Sequence, residues 1–195
     1  MEQLQQAICH LEAENEIRLE DIPEIDLYID QVIQLFEKKL SGTKRYENDK
    51  ILTKTMINNY AKGKLFFPIE NKKYTRNHIM LISLIYGLKG QLAINDIKQS
   101  LQELNEMIVK DEQFNLEDFY EIYLHFSHKN AEKFKEEFSR ITGEATDKIR
   151  EWKNGENDYL IQLLLIASLV HMGNLYKRTA EKLVDLIIEE KGKQG

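Results

Sequence analysis

Apolar residues recur at three- and four-residue intervals along most of this chain of 195 residues. This spacing predicts amphipathic α-helices, because it places the apolar side chains on one helical face. The first firm helix follows Pro23, and its apolar stripe runs from Ile25 to Leu40, just before the helix-terminating Gly42. Strand-like alternation is weak and confined to residues 66–74. The pattern therefore predicts an all-α fold.

The middle of the chain predicts three helices around a polar segment. One helix begins after Thr53 and ends near Gly63. The polar, hairpin-like segment FFPIENKKY follows, then a helix capped by Thr75, then a helix that Asn95 can cap. A short helix, a hairpin-like wing and two further helices form the layout of a winged helix-turn-helix, a DNA-binding unit.

The C-terminal half has its own helical pattern. Residues 119–126 and 131–141 each predict a helix, residues 159–172 are apolar nearly all round, and a final helix follows from Ala180. We divide the chain into an N-terminal arm or marginal helix (1–21), a winged helix-turn-helix domain (22–109) and a helical dimerisation or sensing domain (110–195).

The apolar segment 159–172 must be covered on several sides, because a helix in a small domain normally exposes one polar face. It is either the centre of a C-terminal bundle or part of a subunit interface. DNA-binding proteins of this size commonly act as symmetric dimers, so we expect a homodimer. The segment is too short to span a bilayer and no signal peptide is evident, so we expect a cytoplasmic protein without a membrane partner.

Charge along the chain is strongly uneven, although the net charge is only −6. Residues 38–80 contain eleven basic and three acidic residues, a balance of +8, whereas the remainder contains 16 basic and 30 acidic residues, a balance of −14. A basic region attracts phosphates, and an acidic remainder orients the approach of DNA by repelling it. A solvated face that keeps the protein soluble is the alternative. The coincidence with the helical pattern favours double-stranded DNA as the partner.

The helix after Thr53 carries the most informative polar residues, Asn58 and Asn59. Asparagine is a poor helix former, yet its carboxamide can pair with an adenine edge in the major groove. Local hydrogen bonding or capping is the alternative for both. The basic residues nearby would contact phosphates. The candidate DNA-binding residues are Thr53, Lys54, Thr55, Asn58, Asn59, Lys62, Lys64, Lys72, Lys73 and Arg76.

Four short motifs in this region resemble the DNA-binding domain of the mercury-resistance-regulator (MerR) superfamily. They are residues 56–60 (MINNY), 64–68 (KLFFP), 72–74 (KKY) and 94–98 (INDIK). They correspond to that family's reading helix, the turn after it, its wing and a following helix. Asn58 stands where the family has an arginine. The resemblance implies a MerR-like winged helix-turn-helix.

A closer resemblance is to a bacterial family catalogued as domain of unknown function 1836. Residues 22–32, 52–60, 72–74 and 94–97 are similar to its signature, and the likeness extends over roughly residues 22–104. It implies the same MerR-like unit and no established activity.

Catalytic and metal-binding patterns are few. Glu121, His125 and His128 share one helical face and are residue types that bind Zn²⁺, but a fourth ligand is not evident. The single cysteine, Cys9, excludes an intrachain disulfide and a thiolate cluster. No Gly-rich phosphate loop or catalytic grouping is recognisable, so we predict a protein that is not an enzyme and has no cofactor.

These observations favour a DNA-binding transcriptional regulator. One alternative is a protein–protein adaptor that keeps the winged-helix fold without binding DNA. Another is a metal- or ligand-binding helical protein centred on His125 and His128. The sequence leaves the operator, the direction of regulation and any effector open.

Overall fold

The computed structural model describes residues 16–153, 155 and 157–194. The structure is 74% helical, and the described residues contain one two-stranded sheet, which confirms the mainly helical prediction. Most of the predicted N-terminal arm, residues 1–15, lies outside the described residues. The elements are β1 (Leu27–Tyr28), α1 (Ile29–Leu40), α2 (Lys54–Lys62), β2 (Lys73–Tyr74), α3 (Arg76–Leu88), α4 (Ile94–Lys110), α5 (Leu116–Lys153) and α6 (Asp158–Gln194).

The sheet joins two helix starts that are distant in sequence. β1 and β2 are antiparallel, with Leu27 opposite Tyr74 and Tyr28 opposite Lys73. Leu27 and Tyr74 are both buried. Because β1 leads directly into α1 and Thr75 alone separates β2 from α3, this short ladder fixes the beginnings of the two helices against each other.

The first two helices follow the predicted patterns with local differences. α1 buries Val32, Phe36 and Leu40, but it begins at Ile29, so Ile25 precedes the helix and is 69% exposed. α2 begins after Thr53, whose hydroxyl oxygen accepts a hydrogen bond from the Met56 amide at 3.2 Å. α4 begins two residues earlier than predicted, with Ala93 rather than Asn95 at its N-cap.

One compact unit comprises residues 16–125 and 180–194. Its core includes Ile57 of α2, Ile82 of α3 and Tyr120 of α5, all fully buried, together with Val184 near the end of α6. Lys191 Nζ also donates to the Gln99 carbonyl oxygen at 3.1 Å. The end of α6 is therefore part of this unit, whereas the sequence assigned it to a separate C-terminal domain.

A second unit comprises residues 126–179, which we call the helix pair because it contains parts of α5 and α6. Ala145 and Ile149 of α5 pack with Ile161 and Leu165 of α6. Within the same unit, Asn157 caps α6 by accepting a hydrogen bond from the Leu160 amide at 3.1 Å.

The two C-terminal helices are longer than predicted. The expected break between residues 126 and 131 is absent, and α5 continues for 38 residues. The apolar segment and the predicted final helix likewise form one helix, α6, of 37 residues. No proline occurs after Pro68, so nothing in these segments forces a helix to end.

The apolar part of α6 is largely exposed. Between Asp158 and Lys193 this helix is long and apolar enough to cross a membrane, by length and composition alone. An 18-residue window within it has a mean hydropathy of 1.4, and only 11% of that window is buried. Of the two alternatives for this segment, the low burial argues against the centre of a C-terminal bundle and leaves the subunit interface open.

Candidate nucleic-acid interface

α2 divides into a buried apolar face and an exposed polar face. Ile57 and Tyr60 are buried against the core. The opposite residues follow the spacing i, i+1, i+4, i+5 and i+8, which keeps them on one side of a helix. Five of the candidate residues are exposed there, namely Lys54, Thr55, Asn58, Asn59 and Lys62.

The asparagines on this face do not act as local caps. Neither the Asn58 nor the Asn59 carboxamide forms a hydrogen bond with any residue that the structure describes. Capping belongs to Thr53, which is half-buried at the helix N-terminus. Both carboxamides are thus presented to solvent at a cost in helix propensity of several tenths of a kcal/mol each.

Lys54 is the one lysine of this face in an ion pair. Its Nζ lies 2.8 Å from Asp30 Oδ1. Both side chains are more than half exposed, and an exposed pair of this kind contributes at most about 1 kcal/mol. A phosphate could therefore replace the aspartate as the partner of Lys54.

The end of α2 turns sharply and directs Lys64 outward. Gly63 donates to the Asn59 carbonyl oxygen at 2.8 Å, and Leu65 donates to the Tyr60 carbonyl oxygen at 3.0 Å. A Cβ at Gly63 would lie 2.7 Å from Leu65 Cδ1, so a larger residue there would have to displace this buried side chain. Lys64 takes the left-handed conformation (φ 57°) and is exposed, while Leu65 is fully buried.

Residues 64–74, which follow α2, form what we call the hairpin segment. Near the C-terminal end of this segment, a tight turn directs Lys72 outward. Asn71 and Lys72 have φ values of 49° and 59°, and the Lys73 amide donates to the Glu70 carbonyl oxygen at 2.8 Å. Positive φ at both central residues characterises the type I′ hairpin turn. Lys72 is exposed, and Lys73 Nζ lies 5.7 Å from the centre of the Tyr28 ring.

His78, which the sequence did not single out, anchors the hairpin segment. It is 1% exposed and lies among the rings of Phe66, Phe67 and Tyr74. Its Nδ1 accepts from the Thr75 amide at 3.1 Å, which places the proton on Nε2. Nε2 then donates to the Phe67 carbonyl oxygen at 3.2 Å. A histidine three residues after a threonine cap was the signal available in the sequence.

Asn105 of α4 holds the start of the same segment. Its Nδ2 donates to the carbonyl oxygens of Leu65, at 3.0 Å, and of Leu101, at 2.8 Å. His78 of α3 and Asn105 of α4 thus each donate to a backbone carbonyl oxygen of the hairpin segment. Without these bonds, burial would leave the two carbonyl oxygens without a hydrogen-bond partner. The exposed lysines at its ends are consequently carried on a fixed backbone.

Arg76 contributes to packing rather than to the exposed basic face. Its side chain is only 19% exposed, and its guanidinium pairs with Glu117 and, at 3.4 Å, with Glu24. The same group donates to the Ile22 carbonyl oxygen. These contacts neutralise the charge of Arg76 and join the start of α3 to the start of α5. Arg76 is therefore not available to a phosphate.

Three candidate lysines are exposed and carry uncompensated charge. Lys62, Lys64 and Lys72 form no ion pair with any residue in the described part of the chain. They lie at the end of α2, in the turn that follows it, and at the tip of the hairpin segment. Each can accept a phosphate without breaking an existing interaction.

The residues of the metal alternative do not assemble into a site. In the described ranges, no three His, Cys, Asp or Glu side chains are grouped so that they could hold a metal ion. Glu121, His125 and His128 are all exposed, and His128 Nε2 lies 3.5 Å from Glu132 Oε1.

Burial of His78 makes stability depend on pH. Burial lowers the pKa of this imidazole, and a second proton on Nδ1 would oppose the Thr75 amide. The unfolded chain binds that proton near pH 6.5, so the free energy of unfolding should fall as the pH drops below this value, by at most about 1.4 kcal/mol per pH unit. Urea denaturation between pH 7.5 and pH 5 measures the loss.

Replacing His78 with glutamine should lower stability at pH 7.5 and remove most of the loss on acidification. His171 is exposed and serves as the matched control, since His171→Gln should leave the pH profile unchanged. An equal loss on acidification in wild type and His78→Gln would contradict this role.

Comparison with protein-family models gives one match, to the family described as Domain of unknown function (DUF1836), over residues 17–123. The match covers 107 of the 195 residues and includes β1, β2, α1 to α4 and the first turns of α5. Comparison with curated proteins and with solved structures gave no match. Because the matched region exceeds half of the chain, the protein belongs to the DUF1836 family, as the sequence motifs predicted.

Proposed function

We propose that this protein is a DNA-binding transcriptional regulator that places α2 in the major groove. The observation that carries the proposal is the exposed polar face of α2, on which Asn58 and Asn59 lie beside Lys54 and Lys62. A carboxamide can donate to and accept from one adenine edge at the same time, and an ammonium group binds the neighbouring phosphates.

The dimensions of α2 suit this role. Nine residues rise about 13 Å, and a helix with its side chains is about 10–12 Å wide, close to the width of the major groove. Asn58 and Asn59 lie in the middle of the helix and the lysines lie at its ends. This arrangement lets the amides contact bases while the lysines contact the two phosphate backbones.

The hairpin segment supplies the second part of the proposed interface. Lys64 and Lys72 lie at its two turns, and Lys73 lies on β2. Anchoring by His78 and Asn105 reduces the conformational freedom lost on binding. The order of α1, α2, hairpin segment and α3 supports a MerR-like winged helix-turn-helix as the finer description of this unit.

Coverage of the polar face of α2 by the C-terminal half would have strengthened the adaptor alternative. That face is exposed, so the adaptor gains no support from this observation. A metal- or ligand-binding function centred on His125 and His128 likewise gains no support from the arrangement of these side chains.

Selection of binding sites from fragmented genomic DNA with the purified full chain tests the proposal. We expect enrichment of a defined site, and we expect Asn58→Ala or Asn59→Ala to reduce discrimination against single-base variants of it by about 1–3 kcal/mol. Asn130 is exposed in the helix pair, so Asn130→Ala is the matched control and should preserve discrimination. Failure to retain any DNA at low salt would refute DNA binding. Unchanged discrimination in both variants would show that neither asparagine contacts a base.

A further inference from the structure

The N-terminal half of α6 carries an exposed apolar stripe that its own domain leaves uncovered. The spacing of its members is four, three and four residues, the repeat that forms the seam of a coiled coil. We call this stripe the seam. Its residues and exposed fractions are Tyr159 (70%), Leu163 (48%), Ile166 (60%) and Val170 (58%).

The seam is distinct from the face that holds the helix pair together. Ile161 and Leu165 are 1% and 3% exposed and pack with Ala145 and Ile149 of α5. On a helical wheel, the seam residues lie about 100–160° away from Leu165. Among the described residues, the contacts of this part of α6 with α5 therefore lie on a different face, and we assign the seam to another molecule.

We infer that the seam packs against the same seam of a second copy of this chain, which makes the protein a homodimer. Residues 159–176 contain no Asp, Glu, Lys or Arg, so two copies meet without repulsion between like charges. The polar residues bordering the seam, including Gln162 and Asn174, can each donate and accept hydrogen bonds, so they can pair with their own copies. A wholly apolar, uncharged stripe is complementary to itself, as a symmetric interface requires.

The seam supplies the apolar centre of such an interface. Its four side chains are 48–70% exposed. With about 100 Å² of exposed surface each, they offer on the order of 400 Å² per copy. A standard interface buries about 800 Å² per partner, so the seam provides about half of that area and its polar border provides the rest. A contiguous apolar patch of this size is among the largest that a monomer exposes and commonly marks a functional surface.

A lipid bilayer is the competing partner for an apolar helix of this length. α6 cannot enter it together with its neighbour, because residues 130–153 of α5 include twelve charged side chains. Insertion would require α6 to leave the packing that buries Ile161 and Leu165 against α5. The observations therefore favour a second copy, and membrane binding becomes an outcome of the test.

Sedimentation equilibrium of the full chain at micromolar concentration is the decisive measurement. Wild type should sediment at twice the chain mass of 23.0 kDa. Ile166→Glu and Val170→Glu should each raise the dimer dissociation constant at least tenfold, because each copy would then bury an unpaired carboxylate in an apolar interface. Ile122 is 56% exposed on α5, so Ile122→Glu is the matched control and should remain dimeric.

A monomeric wild type, or full dimerisation of both seam variants, would overturn the inference. Flotation with phosphatidylcholine vesicles provides the second arm, in which we expect no binding. Vesicle binding by wild type that Ile166→Glu abolishes would assign the seam to the bilayer instead. The inference rests on the seam and not on DNA contacts, so a monomer that still retains genomic fragments would refute the dimer and leave the proposed function standing.

Discussion

Replacing Lys62, Lys64 and Lys72 together with alanine is expected to weaken binding to duplex DNA by about 500-fold at 0.1 M salt. Each phosphate contact contributes about 0.9 to the slope of log K against log salt concentration, so the three contacts of one copy contribute about 2.7, and a second bound copy would double this. The three lysines are exposed and form no ion pair within the described ranges, so removing them should cost the fold little. Fluorescence anisotropy with a labelled duplex across a salt series measures both quantities.

A matched control separates the position of these charges from their number. Lys129, Lys133 and Lys193 are also exposed but lie outside the proposed interface, so their triple alanine variant has the same net charge. We expect it to bind DNA with nearly the wild-type slope. Equal losses in the two triple variants would show that binding depends on overall charge and not on α2 and the hairpin segment.

Replacing Val184 with aspartate is expected to lower the free energy of unfolding by about 3–5 kcal/mol. Val184 is 5% exposed and belongs to the core cluster that contains Ile57, Ile82 and Tyr120. An unpaired carboxylate at such a position loses its hydration without gaining a partner. Typical domains are stable by about 5–15 kcal/mol, so the variant should be partly unfolded near its working temperature.

The neighbouring residue provides the control for this change. Leu183 is 58% exposed, so Leu183→Asp should change stability by no more than about 0.5 kcal/mol. Urea denaturation of both variants measures the difference. Similar stabilities for the two variants would mean that the end of α6 does not belong to the core of residues 16–125.

Local patterns in the sequence were sufficient for α2 and its surroundings. Thr53 caps the helix and Gly63 ends it, because both act through contacts with residues only two to four positions away. The exposed positions of Asn58 and Lys62 follow from the same helical periodicity. The family assignment was also accessible, because its motifs lie within this locally determined region.

Features that depend on distant residues were not accessible. Arg76 looks like a phosphate contact in sequence, and only the fold brings Glu117 to it, 41 residues further along the chain. The anchoring of Phe67 by His78 and of Leu65 by Asn105 likewise requires helices to meet a loop. The apolar pattern divides α5 and α6 into shorter helices, because it is interrupted in places, for example by the polar residues 127–130.

The return of α6 to the core has a consequence for synthesis on the ribosome. Val184 follows Tyr120 by 64 positions, and translation proceeds at about 5–20 residues per second. The core of the first unit therefore stays incomplete for about 3–13 seconds after Tyr120 has been added to the nascent chain. In this nascent intermediate, the apolar surface that Val184 later covers is still exposed. We therefore expect it to be the species most prone to aggregation and most dependent on chaperones.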